Sequence, residues 1–64
     1  MTRNAMMAYF DNEIAALQVI LSLRQAKYVK KYTDTSVIFN DDSRIWLDKA
    51  PLGGFILTRS VPGR

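Results

Sequence analysis

Lys49, Gly53 and Gly54, in the stretch KAPLGG, are the residue types of a phosphate-binding loop: a cation, and glycines that let backbone N–H groups approach an anion. Their order does not fit one. A P-loop runs GxxxxGK[ST] into a helix, whereas here the lysine precedes the glycines and the strand-like run FILTRS follows them. Pro51 and the two glycines suit a β-hairpin turn, which needs one restrained φ and then positive φ values. Asp41 and Asp42 could pair for metal binding or acid/base work, but they adjoin Ser43 as in a solvated turn and lack the DxDxDG spacing of a calcium loop. Ser22, Ser36, Ser43 and Ser60 have no histidine to activate them and no G-x-S-x-G elbow around them. The chain has no cysteine and no histidine, so disulfides and a zinc site are not expected. The expectation is a protein that is not an enzyme, with no catalytic residues, no metal and no cofactor.

One remaining constellation is basic. Arg24, Lys27 and Lys31 fall at i, i+3 and i+7, one stripe of a helix, with Lys30 at its margin and Tyr28 and Tyr32 beside it. Cations interleaved with aromatic rings serve phosphate contact and base stacking, which makes nucleic acid an alternative partner. The competing structural reading is that cations gather at a helix C-terminus while tyrosines close the core with wet hydroxyls. The net charge of +3 permits an acidic partner and requires none.

These residues must be positioned by a small domain. At 64 residues the chain is one unit, 1–64, and a domain of this size buries only about 60% of its unfolded surface. Ala5 to Tyr32 lacks Gly and Pro and is rich in helix formers, so the composition predicts a helix over 5–32, capped by Asn4 or, if Phe10 folds back outside it, by Asp11. Thr35–Asn40, Arg44–Asp48 and Phe55–Ser60 are short, rich in β-branched and aromatic residues and separated by turn signals. The predicted architecture is α+β: one long N-terminal helix on a three-stranded antiparallel meander at 35–60, with Met1–Asn4 and Val61–Arg64 as loose ends. A loop at Asp41–Ser43 would set Phe39 opposite Ile45 and Val37 opposite Leu47, making one apolar face with Phe55 and Leu57.

Two surfaces remain to be explained. The run IAALQVILSL is apolar almost all the way round; with Ile14, Leu17 and Leu21 on the sheet, Ala16, Val19, Ile20 and Leu23 are left to bury by self-association, giving a homodimer, unless the arm Met6–Phe10 folds over them. On the far side of the sheet, alternation groups Ile38, Trp46 and Ile56, with Arg44 beside them, as a candidate anchor for a larger protein partner. The run Gly54 to Pro62, with its Gly-Phe, Thr-Arg and Pro spacing, resembles the last strand of a family of small bacteriophage inhibitors of host RNA polymerase. The likeness covers this stretch alone, and the preceding hairpin departs from that family's order of elements. It implies at most a small protein that binds and blocks a larger machine.

No segment is apolar for the roughly 20 residues needed to span a bilayer, and Asp11 interrupts the N-terminal apolar patch too early for a signal-peptide core. The expectation is a cytoplasmic regulator or inhibitor that acts by protein binding, without membrane contact.

Overall fold

The computed structural model describes residues 2–62. The chain runs β1 (Thr2–Phe10), α1 (Glu13–Leu23), β2 (Val29–Tyr32), β3 (Ser36–Phe39), β4 (Arg44–Lys49) and β5 (Phe55–Pro62). All the strands join one antiparallel five-stranded sheet in the order β1-β5-β4-β3-β2. The helix lies on one face of it, so the protein has two layers and is only 14 Å deep in its thinnest direction.

The expected long helix on a three-stranded meander is corrected at both ends. Thr2 to Phe10 includes AMMAYF, which favours helix locally, yet it pairs with β5 from Thr2 opposite Pro62 to Phe10 opposite Phe55. Helix propensities separate these residues by only a few tenths of a kcal/mol each, so a backbone ladder plus burial of Phe10 on the core outweighs them. The same pairing draws Thr2–Asn4 and Val61–Pro62, expected as loose ends, into strands; Met1, Gly63 and Arg64 lie outside the described residues. Asn12 makes the break: its side-chain oxygen accepts a hydrogen bond from the Ala15 N–H at 2.9 Å, capping α1 one residue after Asp11. The helix ends at Leu23 with Arg24 as its C-cap, and Val29–Tyr32 forms β2 beside β3. The β-branched and aromatic residues Tyr28, Val29, Tyr32 and Thr33 carry the strand preference there.

Strands β3, β4 and β5 lie close to the three predicted strand segments, but as part of a five-stranded sheet and with a different register between β3 and β4. Val37 lies opposite Ile45, and Phe39 pairs with Ser43 through its N–H, 2.8 Å from the Ser43 carbonyl. The loop is therefore Asn40–Asp42, one residue earlier than Asp41–Ser43, with Asp42 taking the positive φ (67°) that ends such a turn. The pairing moves by two residues in sum, an even slip, so every side chain keeps its predicted face. The β4–β5 hairpin repeats the design with Pro51, Leu52 and Gly53: the Gly53 N–H meets the Ala50 carbonyl, and the Ala50 N–H meets that of Gly54.

Ala16, Ile20, Val37, Ile45 and Leu57 are buried, and Phe10, Val19, Leu23, Val29, Phe39 and Leu47 pack around them. The helix thus presents to the sheet the face opposite to the one expected. Ala16, Val19, Ile20 and Leu23, assigned to self-association from the sequence, are core or core-flanking, whereas Ile14 and Leu21 are exposed. Both sets have helical spacing; the one containing Ala16 lets the helix backbone come close to the sheet while Ile20 fills the gap between β3, β4 and β5. No helix among the described residues is long and apolar enough to cross a membrane.

Gly54 ties the second hairpin to β1. It holds φ at 84°, and a Cβ there would collide with the ring of Tyr9, whose hydroxyl donates to the Gly53 carbonyl at 3.1 Å. Gly54→Ala is therefore expected to cost about 1–3 kcal/mol in chemical denaturation, from backbone strain and loss of the Tyr9 contact. In the Tyr9→Ala background the cost should be smaller.

Candidate functional site

Alternation along β4 sends Ile45 and Leu47 into the core and Arg44, Trp46 and Asp48 to the face away from α1. Cross-strand pairing fixes their neighbours. One row runs Lys31, Ile38, Arg44, Ser60, Asn4; the next runs Ser36, Trp46, Thr58, Met6; the third runs Asp48, Ile56, Tyr9. Ile38, Trp46, Ile56 and Arg44 are thus brought onto one face, as expected. Ile38 and Ile56 sit diagonal to the indole; the residues directly opposite it are Ser36 and Thr58.

The indole is held from two sides. Its Nε1–H donates to Asp48 Oδ2 at 2.8 Å, and the Arg44 guanidinium lies over the ring, Cζ 4.8 Å from the centroid. These residues are at i−2 and i+2 on the same strand, so one flat side of the sheet sets all three. The cation on the ring face and the hydrogen bond at its edge leave Trp46 half-buried with its polar atom satisfied.

Met6 and Tyr9 complete this face and are 66% and 52% exposed. Lys31 also belongs to it, opposite Ile38. None of the three is legible in this role from the sequence, because each depends on an edge strand that local propensity assigns to helix.

No family model matches the chain, and no curated protein or solved structure is significantly similar to it.

The basic helical stripe does not form. The helix ends before Lys27, and the residues assigned to the stripe diverge: Arg24 stacks on the Tyr32 ring, Cζ 4.2 Å from its centroid, and Lys30 bonds Asp42 at 2.9 Å. Lys30 is the extra residue in the β2 pairing, between Val29 opposite Phe39 and Lys31 opposite Ile38. Tyr28, 70% exposed, joins Phe39, Ile45, Asp41, Ser43 and Arg59 around a cavity of about 430 Å³. A correct turn is needed to assemble that cavity, and so it has no signal in the sequence.

Asp41 and Asp42 lie in the Asn40–Asp42 turn, which Ser43 closes. Asp41 Oδ1 accepts from the Ser43 N–H at 2.9 Å and from the buried Ser43 hydroxyl at 2.6 Å. These two donors hold the Asp41 carboxyl below the ordinary aspartate range, with a smaller contribution from Arg59. The folded-state value is depressed, so the stabilisation is present above the unfolded aspartate value and is lost as pH falls through the folded one. An NMR titration should find Asp41 titrating below a model aspartate. In Ser43→Ala, which removes the hydroxyl donor, its midpoint should rise; an unchanged midpoint would mean the bond has no such effect.

Proposed function

We propose that the protein is a small, non-catalytic interaction module that regulates or inhibits a larger protein by occupying part of its surface through the sheet face opposite α1. The observation that carries this reading is Trp46, seated in the middle of that face between Arg44 and Asp48 with its N–H already satisfied. Trp, Tyr and Arg are the residue types that dominate binding energy when an interface closes over them, and Trp46, Tyr9 and Arg44 share this surface. A ring pinned on both sides loses little rotamer freedom on binding, which lowers the entropic cost of association.

The charge of the face indicates the complementary surface. Lys31 and Arg44 flank Ile38, while Asp48 is engaged by the indole, so the target should present an apolar patch bordered by carboxylates. A cytoplasmic location belongs to the same reading and rests on composition: a cysteine-free chain suits a reducing compartment.

Tagged full-length chain can be used to capture proteins from the native host, with and without nuclease, and read by mass spectrometry. Trp46→Ala is expected to stay folded, losing less than the roughly 3 kcal/mol that a core tryptophan costs, while binding weakens by about 2 kcal/mol or more. The reading requires a protein retained by the wild type and by Gln25→Ala, and lost with Trp46→Ala, whether or not nuclease is present. Retention unaffected by Trp46→Ala would remove this face from the mechanism, and a capture abolished by nuclease would point back to the cations.

A further inference from the structure

We infer that the cavity beside the β3–β4 turn is a binding site for a small aromatic carboxylate, with Arg59 holding the carboxylate and Tyr28 and Phe39 flanking the ring. Arg59 stands opposite Ile45 on one neighbouring strand and Ala5 on the other, so it shares the sheet face that α1 covers and points away from Trp46. The inference therefore stands independently of the target-binding reading. Among the described residues, none of α1 lines this cavity. The helix covers the middle of the face and leaves this end of it open. Ile45 and Ser43, which also line the cavity, are only 5% and 4% exposed, so the space reaches down to the core. At about 430 Å³ it falls within the roughly 300–1,000 Å³ of small-molecule sites, which combine apolar and aromatic walls with a few polar groups.

The polar groups at the cavity select the ligand. Elsewhere in the molecule the cations are engaged: Lys30 bonds Asp42, and the Arg24 and Arg44 guanidiniums stack on Tyr32 and Trp46. Arg59 has no such partner among the described residues. It acts on the Asp41 carboxylate only from beyond salt-bridge distance, and Asp41 Oδ1 is already satisfied by the two Ser43 donors. What the cavity offers is thus unmatched donor capacity at Arg59 beside apolar walls, and its occupant must bring an acceptor and an apolar body. A guanidinium presents a planar fork that fits a carboxylate with two parallel hydrogen bonds. A doubly charged phosphate would lose more hydration on entering walls made by Tyr28, Phe39 and Ile45, which favours the singly charged group. Ala5, the small residue beside Arg59 on β1, leaves the guanidinium side of the site uncrowded.

The test is an NMR titration of the isotope-labelled full chain with 2-naphthoate, against the neutral 2-naphthamide as control. Saturable shifts are expected at the amides of Asn40, Ser43, Ile45 and Arg59, with a Kd of a few millimolar or tighter, about what a ligand of this size can reach. The amide should bind at least about fivefold more weakly, since it lacks the charge-assisted bonds. Arg59→Gln, at an exposed position, should stay folded by circular dichroism and erase the preference for the acid, while leaving naphthamide binding unchanged. Tyr28→Ala should weaken both compounds alike, and Trp46→Ala neither. A folded wild-type chain with no saturable shifts by about 10 mM would overturn the inference. So would shifts confined to the Trp46 face, a preference for the acid of less than about fivefold, or a preference that survives Arg59→Gln.

Discussion

The pairing of β1 with β5 is the constraint on which the rest of the structure depends. It joins the first strand to the last, from Thr2 opposite Pro62 to Phe10 opposite Phe55, and so places β1 at one edge of the sheet while β2 takes the other. The chain must then cross the full width of the sheet between them. Four inter-strand steps of about 4.8 Å make roughly 19 Å. The 11-residue helix is about 16 Å long and, with its short connections, is enough to make that crossing. A helix running to Tyr32 would overshoot it, which gives the break after Leu23 a geometric reason as well as a local one.

A crossover helix covers one face of a sheet and leaves the other open. On the covered side the space is filled by Ile20 against Val37, Ile45 and Leu57, with Ala16 letting the helix sit close. On the open side the same alternation groups Tyr9, Ile56, Trp46 and Ile38, so the proposed recognition surface follows directly from the core. The two edges are managed differently. β2 is four residues long, carries Lys30 and Lys31 and is bulged; β1 is nine residues long and is interrupted at Met7, the unpaired residue between Met6 and Ala8. Charge, shortness and bulges are the devices that keep sheet edges from pairing with other chains, and β1 relies on its bulge alone over the stretch Asn4–Phe10.

Two exposed apolar surfaces on so small a chain have a common origin. A single two-layer sandwich of this size cannot enclose all of the apolar residues that its secondary structure requires. The helix has more apolar positions than one sheet can cover, and the sheet has two faces but only one helix. Trp46 illustrates how the excess is handled, since Arg44 and Asp48 cap the ring and its N–H without taking it out of contact range. Ile14 and Leu21 have no such cover among the described residues.

The amino-acid sequence by itself determined the local features that depend on near neighbours. It placed the three strand segments that became β3, β4 and β5, made KAPLGG a hairpin turn rather than a phosphate loop, and sorted Val37, Phe39, Ile45, Leu47 and Leu57 from Ile38, Trp46 and Ile56, because period-two alternation survives a register slip of two. The tertiary structure alone decided what rests on distant partners. Ala5–Phe10 and Val29–Tyr32 are strands because the meander offers two open edges to pair with, and a ladder of long-range backbone bonds exceeds the small helical preference of Ala, Met and Lys. The inward face of α1 was equally undetermined, since Ile14-Leu17-Leu21 and Ala16-Ile20-Leu23 are both regular helical stripes and the choice between them is made only when the helix is laid across the sheet, where a small residue at the point of closest approach fits and a large one does not.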